Sequence, residues 1–180
     1  MPRISLTPPR GLMYRLSEWY CRRSYGKVPD PFKVAGHNTA VFVTYGLFEM
    51  GVLRWRKLDR KLKGLAVLAS AASIGCEWCL DFGYWELHSH GVPVAKIEAI
   101  AGWRSSEVYT PLERLVIEYA EAMTATPPQV TDAMVDGLKA HLSEAQLVEL
   151  TAIVAVENLR SRLNSAAGLT GQGFKESCAL

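Results

Sequence analysis

The sequence predicts an all-α protein. Strand signals are scarce along its 180 residues, whereas helix start and stop signals recur, and short connections join the amphipathic segments. No repeat, low-complexity tract or interdomain linker interrupts this pattern. We therefore expect a single helical domain, large enough to bury a core.

In the first half of the chain, apolar periodicity predicts helices at Tyr14–Arg23, Asn38–Trp55 and Leu62–Ile74. An extended, proline-containing arm precedes them, and Pro29 and Pro31 predict a helix-breaking corner between the first two helices. A cysteine-bearing segment comes next. Gly91 and Pro93 separate that segment from a short helix predicted at Val94–Ala101.

A capping box begins each long helix of the second half, Thr110 with Glu113 and Ser143 with Gln146. A pair of prolines ends the first of these helices, and Gly168 ends the second. Between them, the segment TDAMVDGLKAHL predicts a shorter helix.

The net charge of +2 is unevenly distributed. Residues 1–63 carry 13 Lys and Arg against 4 Asp and Glu, a balance of +9, and residues 64–180 carry 7 against 14, a balance of −7. Basic and acidic parts that complement each other within the fold or across subunits account for this asymmetry. Since no recognised nucleic-acid motif accompanies the basic segment, we expect no nucleic-acid partner.

The N-terminal stretch MPRISLTPPRG lacks the apolar region and cleavage site of a signal peptide. The longest apolar run, Leu65 to Cys76, is too short to span a bilayer. We therefore expect a cytoplasmic protein with no membrane partner. In a reducing compartment a close cysteine pair indicates metal or redox chemistry, whereas Cys21 and Cys178 show no spacing signal.

The segment SIGCEWCLDFG places Cys76 and Cys79 at C-x-x-C spacing. On a helix, residues i and i+3 share a face, so both sulfurs can reach bonding distance. Because Cys76 follows Gly75, we expect it in the first turn, where unpaired N–H groups and the helix dipole favour a thiolate. Two alternatives stay open: half of a zinc site, or two buried thiols without chemistry.

Helical geometry argues against zinc. His88 lies about 180° around a continuous helix from Cys79, and His90 returns to the same face only about 16 Å further along the axis. We therefore expect no metal. The same geometry turns Asp81 away from Cys79 and leaves Glu77 beside Cys76 in solvent.

The segment ENLRSRLNSA carries a second candidate group. Glu157 and Arg160 are spaced to pair along the helix, as are Asn158 and Arg162. These arginines fit an anion clamp near the dithiol, a structural hydrogen-bond network or a subunit interface.

Two longer stretches carry a family resemblance: LDRKLKGLAVLASAASIGCEWCLDFG, and later LVELTAIVAVENLRSRLNSAAGL. Together with His37-Asn38 ahead of a long helix, they resemble the alkylhydroperoxidase D (AhpD)-like / carboxymuconolactone decarboxylase family over nearly all of residues 33–171. The resemblance implies an AhpD-like bundle of helical hairpins at 33–171. It leaves an N-terminal arm and helix at 1–32 and a tail at 172–180.

The resemblance also implies a homo-oligomer, a trimer or a hexamer, that uses no cofactor. Family members with C-x-x-C reduce peroxides or protein disulfides and are regenerated by an external dithiol, either lipoyl-like or thioredoxin-like. Members that lack the pair decarboxylate a muconolactone. Cys76 and Cys79 place this chain in the redox branch. The family implies Cys79 as the attacking thiol, whereas the helix dipole favours Cys76.

The redox members carry a relay His four residues after the second Cys and a relay Glu twelve residues before the first. Here Gly83 and Gly64 occupy those positions. Candidate replacements are Glu157, Arg160 and His37, with Glu49 and Tyr45 as further groups on other helices. The glycines also suggest an apolar pocket beside the cysteines, unless the residues Trp78, Phe82, Tyr84 and Trp85 are plain core.

The main hypothesis is thus an antioxidant thiol oxidoreductase that acts on peroxides or disulfides through Cys76 and Cys79. One alternative is a cofactor-free decarboxylase or lyase that binds a small carboxylated lactone through Arg160 or Arg162. The other is a non-catalytic helical oligomer that senses oxidation or binds a ligand.

Overall fold

The computed structural model describes residues 1–9 and 11–178, and no strand occurs in those ranges. The α-helices are α1 (Leu12–Tyr25), α2 (Asp30–Ala35), α3 (Thr39–Val52), α4 (Arg60–Ile74), α5 (Glu77–Ser89), α6 (Val94–Glu98), α7 (Pro111–Thr124), α8 (Asp132–Lys139) and α9 (Glu144–Ala166). Two 3₁₀ helices, Ile100–Ser105 and Lys175–Cys178, complete the set. The predicted all-α class is confirmed.

Side-chain caps fix several helix starts. The Asn38 side chain accepts the backbone N–H groups that open α3, and the Asp59 carboxylate does the same for α4. The capping boxes begun by Thr110 and Ser143 are both formed, as predicted, at the starts of α7 and α9. Local sequence therefore determines where these helices begin.

The proline corner is the prediction that the structure corrects. Pro31 lies in the first turn of α2, a helix that the sequence reading missed. Proline is tolerated there because the first N–H groups of a helix have no intrahelical partner. The helix predicted at Val94–Ala101 is also shorter than expected, since the chain continues as a 3₁₀ turn from Ile100.

Helix α4 is the centre of the bundle. It packs against α5, α7 and α9, and its side chains Leu65, Ala66 and Leu68 are buried at 0 to 2% exposure. This core fixes the position of α5 relative to α9, the two helices that carry the candidate site. The site therefore depends on contacts between helices that are far apart in sequence.

The terminal segments pack onto this bundle. The backbone N–H of Arg3 bonds the Ala167 carbonyl just past α9. At the other end, the Asp81 carboxylate on α5 accepts backbone N–H groups from Gln172, Phe174 and Lys175 at 2.6 to 3.0 Å. The tail predicted at 172–180 is thus anchored to α5 over its described part.

None of the helices within residues 1–9 and 11–178 combines the length and apolar character needed to cross a membrane.

Candidate functional site

The C-x-x-C pair lies at the junction of α4 and α5. Gly75 adopts a left-handed conformation, with φ of 77°, that ends α4 and turns the chain into α5. Cys76 is the N-cap of α5, one position earlier than predicted, and its sulfur accepts the Cys79 backbone N–H at 3.3 Å. The two cysteines form a disulfide and are buried, with exposures of 1% and 6%.

Two polar side chains from α9 contact the sulfur of Cys79. The Ser161 hydroxyl oxygen lies 3.3 Å from Cys79 Sγ, and the Asn164 amide nitrogen also lies at 3.3 Å. Both are buried, with Ser161 at 0% exposure. Cys79 therefore has two side-chain partners, whereas the Cys76 sulfur is bonded to a backbone N–H.

The contact extends from Ser161 to a buried carboxylate. Ser161 Oγ donates to Glu157 Oε1 at 2.7 Å, and Glu157 is 2% exposed. Burial raises the pKa of Glu157 to about 7, although the nearby Arg160 guanidinium opposes that shift. A carboxyl group with such a pKa gains and loses a proton near neutral pH.

Arg160 joins Glu157 to α3. Its Nη1 lies 3.6 Å from Glu157 Oε2, which confirms the predicted pair, and its Nε donates to Glu49 Oε1 at 2.9 Å. A second guanidinium nitrogen bonds the other oxygen of Glu49, so that contact is bidentate. Tyr45 hydrogen-bonds Glu49, and burial and this carboxylate raise the pKa of Tyr45. Polar contacts thus run from Cys79 to partly exposed groups on α3.

Gly64 and Gly83 do not leave the room that the predicted pocket beside the cysteines requires, because leucines fill the space at both glycines. A Cβ on Gly64 would lie 2.3 Å from Leu87 Cδ2, and a Cβ on Gly83 would lie 3.0 Å from Leu68 Cδ1. Helices α4 and α5 are packed closely at both points. The two positions therefore serve helix packing, and a side chain at either one would require the neighbouring leucine to move.

The aromatic residues of α5 divide between two faces. Trp78, Phe82 and Trp85 pack on Phe174, with ring centroids 5.1 to 6.0 Å apart, so these three belong to a core cluster. Tyr84 instead lines an open cleft of about 580 Å³ beside the C-terminal segment. Neither cysteine is among the residues that line this cleft.

Other candidates from the sequence lie away from the dithiol. The exposed ring of His37 hydrogen-bonds the Ser5 carbonyl oxygen at 2.8 Å, so it holds the N-terminal arm and contacts neither sulfur. His90 Nε2 contacts Arg60 at 2.8 Å, and His88 stacks on Tyr84. Among the described residues, no group of three His, Cys, Asp or Glu side chains is arranged to hold a metal ion.

The predicted pair of Asn158 and Arg162 is replaced by contacts with the end of α7. Asn158 donates to the Thr124 hydroxyl at 2.9 Å, and Arg162 donates to Thr126 Oγ1 at 3.2 Å. Two predictions on α5 hold: Asp81 faces away from the dithiol toward the C-terminal segment, and Glu77 is exposed. Outside the pair, Cys21 and Cys178 are free thiols.

Ser161 and Asn164 are the site residues that the sequence reading missed. A signal for them exists, because Glu157, Ser161 and Asn164 follow one another at i, i+4 and i+7. Residues with that spacing share one face of a helix. A polar stripe of this kind on a helix that begins with apolar residues indicates a buried polar cluster.

An all-α chain whose C-x-x-C pair opens a helix defines the class of AhpD-like / carboxymuconolactone decarboxylase proteins. The carboxymuconolactone decarboxylase family profile matches residues 40–122, and the chain belongs to this family. It is similar to the uncharacterized protein YnjA of Escherichia coli K12, with 35% identity over 97% of this chain and 94% of that protein.

Solved structures share the fold. The AhpD core of a peroxidase-related protein from Ralstonia eutropha JMP134 aligns with a TM-score of 0.82 at 18% identity, over 100% of this chain and 96% of that one. The debrominase Bmp8, crystallised with 2,3,4-tribromopyrrole, aligns with a TM-score of 0.84 at 18% identity, over 99% and 98% of the two chains. At these identities, the similarity defines the fold alone.

Proposed function

We propose that this protein is a thiol-dependent oxidoreductase in which Cys76 and Cys79 alternate between a dithiol and a disulfide. The observation that carries this proposal is the contact of Cys79 with a serine, an asparagine and, through the serine, a buried carboxylate. An inert pair of buried thiols needs no such polar partners, because burying polar groups is costly unless each is satisfied.

Cys79 is the attacking residue in this cycle. Its thiolate attacks one oxygen of a peroxide ROOH, forming the sulfenic acid Cys79–SOH and releasing RO⁻, which takes up a proton to leave as ROH. The Cys76 thiol then attacks the sulfenic sulfur, forming the disulfide and releasing water. If the substrate is a disulfide, the same thiolate attacks one of its sulfurs and Cys76 resolves the mixed disulfide.

An external dithiol, lipoyl-like or thioredoxin-like, regenerates the pair. It is oxidised to its own disulfide while Cys76 and Cys79 each regain a thiol. The cycle needs no metal or organic cofactor. A reducing compartment such as the cytoplasm suits this chemistry, because it keeps the donor in its dithiol form.

The lyase alternative is less consistent with the arginines. Arg160 is bound by Glu49 and Glu157, and Arg162 is bound at the end of α7. The Arg160 guanidinium is therefore not presented to a substrate carboxylate, whereas Arg162 is exposed and donates through one nitrogen only.

The test is a count of thiols after oxidation. The reduced protein is mixed with cumene hydroperoxide or oxidised lipoamide, and the thiols are titrated after denaturation. We expect wild type to lose two thiols, Cys79→Ala to form no intramolecular disulfide, and a Cys21→Ala/Cys178→Ala control to behave like wild type.

Two outcomes would contradict the proposal, and a third would change its substrate. Lactone decarboxylation that survives loss of both cysteines would indicate a lyase. A dithiol that resists both oxidants would indicate a non-catalytic protein. Oxidation by 2,3,4-tribromopyrrole alone, with release of bromide, would transfer the chemistry of the Bmp8 debrominase to this chain.

We also propose that the protein assembles as a homo-oligomer, a trimer or a hexamer. Helix α3 and the residue that caps its C-terminus expose a set of large apolar side chains with exposures of 42 to 63%, namely Val41, Leu47, Phe48, Met50 and Leu53. Apolar patches of this kind mark protein interfaces. Light scattering on the protein as it elutes from a size-exclusion column measures the mass of the assembly. A monomeric mass at micromolar concentration would refute the proposed oligomer.

A further inference from the structure

We propose that Glu157, acting through the hydroxyl of Ser161, receives the proton of the Cys79 thiol and returns it to the leaving group. This inference rests on the proposed dithiol cycle and identifies the side chains that move its protons. Ser161 contacts the reacting sulfur directly, whereas Glu157 acts through Ser161.

The geometry carries the proposal because one hydroxyl bridges the sulfur and the carboxylate. Ser161 Oγ lies 2.7 Å from Glu157 Oε1 and 3.3 Å from Cys79 Sγ. A hydroxyl has one proton to donate and two lone pairs to accept with. That single proton cannot serve the sulfur and the carboxylate at once. Ser161 donates to the sulfur when a protonated Glu157 donates to Ser161, whereas donation to an ionised Glu157 leaves a lone pair of Ser161 toward the sulfur. In the dithiol form, the Cys79 S–H can donate to that lone pair.

The proton then moves along these two hydrogen bonds, from the sulfur to the hydroxyl and from the hydroxyl to the carboxylate. The thiol proton passes to Ser161 Oγ as the serine proton passes to Glu157, giving a thiolate, an intact hydroxyl and a neutral carboxylic acid. When the thiolate attacks a peroxide, the released RO⁻ takes a proton along the reverse path, and Glu157 becomes a carboxylate again. Atoms and charge balance without an added acid or base.

The charged groups around Glu157 support this role. On its own helix the guanidinium of Arg160 faces it, and α3 contributes Glu49 and Tyr45 beyond that arginine. The charged residue of α4 that reaches α9 is Lys63, which binds Glu149 about two turns nearer the start of α9. Arg160 is thus shared between two carboxylates, so Glu157 is only partly neutralised, and its pKa near 7 suits a proton acceptor at neutral pH.

The network reaches the protein surface through a guanidinium. Glu157 is buried, whereas the side chains of Arg160 and Glu49 are 27% and 28% exposed. Arg160 stays protonated and only donates, so it cannot pass a proton on to Glu49, and the proton held by Glu157 returns through Ser161. The family's relay His and Glu are absent here, and this group reaches Cys79 from α9.

The test measures how fast iodoacetamide alkylates Cys79 in the reduced protein between pH 5 and 10, by mass spectrometry of the Cys79 peptide. We expect the wild-type rate to rise to an inflection near pH 7, where Glu157 ionises, and to rise again at higher pH. Glu157→Gln and Ser161→Ala should both lose the inflection near pH 7 and alkylate about 100-fold more slowly at pH 7.5, the low end of general base catalysis.

Asn164→Ala is the matched control. This variant lacks one donor to the Cys79 sulfur but keeps Ser161 and Glu157 in contact. Its Cys79 should therefore be alkylated more slowly, while the inflection near pH 7 remains. Alkylation of Cys178 in the same samples should be equal in all variants, which shows that a changed Cys79 rate is not a general loss of folding.

An inflection near pH 7 that persists in both Glu157→Gln and Ser161→Ala would overturn the proposal. The readout is separate from turnover. If the inflection depends on Glu157 but neither peroxide nor disulfide oxidises the dithiol, the proposed function fails and the proton path stands. If peroxide is reduced but the alkylation profile is the same in wild type and in both variants, the proposed function stands and the proton path fails.

Discussion

Gly64 is the position where added volume is least tolerated between α4 and α5, and Gly64→Ala measures that constraint. The new Cβ would lie 2.3 Å from Leu87 Cδ2 and 3.2 Å from Leu87 Cγ. Leu87 is 3% exposed, so it cannot turn into solvent. Overpacking of this kind costs about 1–3 kcal/mol, while replacing Gly by Ala within a helix gains about 1 kcal/mol. We expect a net loss of about 0–2 kcal/mol.

The same substitution should have the opposite sign once Leu87 is shortened. Leu87→Ala alone should cost about 2–5 kcal/mol because it leaves a cavity. In that background, the methyl group at position 64 enters vacated space and retains the gain in helix propensity, so Gly64→Ala should stabilise by about 1 kcal/mol. The coupling between the two positions should therefore be about 1–3 kcal/mol.

Urea denaturation of the four proteins, at one protein concentration and in one redox state, gives this coupling. If Gly64→Ala has the same effect in both backgrounds, the two helices are not in close contact at this point. The explanation for the missing relay Glu, that Leu87 occupies its space, would then be refuted.

Three further predictions concern the core, the interface and the buried acid. Phe174→Ala should reduce the free energy of unfolding by about 3–5 kcal/mol, because the ring is 1% exposed; an unchanged urea midpoint would mean that the C-terminal segment is not docked in solution. Leu47→Glu should convert the proposed oligomer to smaller species in light scattering, because it places a charge on an exposed apolar face of α3; an unchanged mass would locate the interface elsewhere. The raised pKa of Glu157, about 7 in the folded protein against 4.5 ordinarily, means that the folded state binds more protons between these values. The stabilisation from Glu157 is thus complete below pH 4.5 and is lost as pH rises through about 7. Between these values the free energy of unfolding should fall by up to about 1.4 kcal/mol per pH unit. Glu157→Gln should remove this dependence on pH, and an equal dependence in both proteins would contradict the prediction.

Much of the fold could be predicted because helix ends are local features. Asn38, Thr110 and Ser143 are capping residues whose partners lie within three positions, and the structure places each at a helix start. Pro31 shows the limit of this reasoning. A proline breaks a helix interior but fits its first turn, and the sequence alone does not say which applies.

The candidate site was predictable in part. The spacing of Cys76 and Cys79 indicated a pair on one helix face, and Glu157 and Arg160 were recognised as neighbours. The pocket expected at Gly64 and Gly83 failed for a physical reason. A glycine leaves room only if no other side chain enters, and the neighbouring helix supplies leucines at both positions.

The sequence by itself determined the helical class, the helix starts and the cysteine pair, because each depends on residues a few positions apart. Only the tertiary structure decided what Cys79 contacts. Its partners Ser161 and Asn164 lie 82 and 85 positions away, and their placement depends on how α5 and α9 pack around α4. That packing is the sum of many small apolar contacts, none of which is marked by a motif. The same packing places leucines against Gly64 and Gly83 and a buried carboxylate one hydroxyl away from the sulfur.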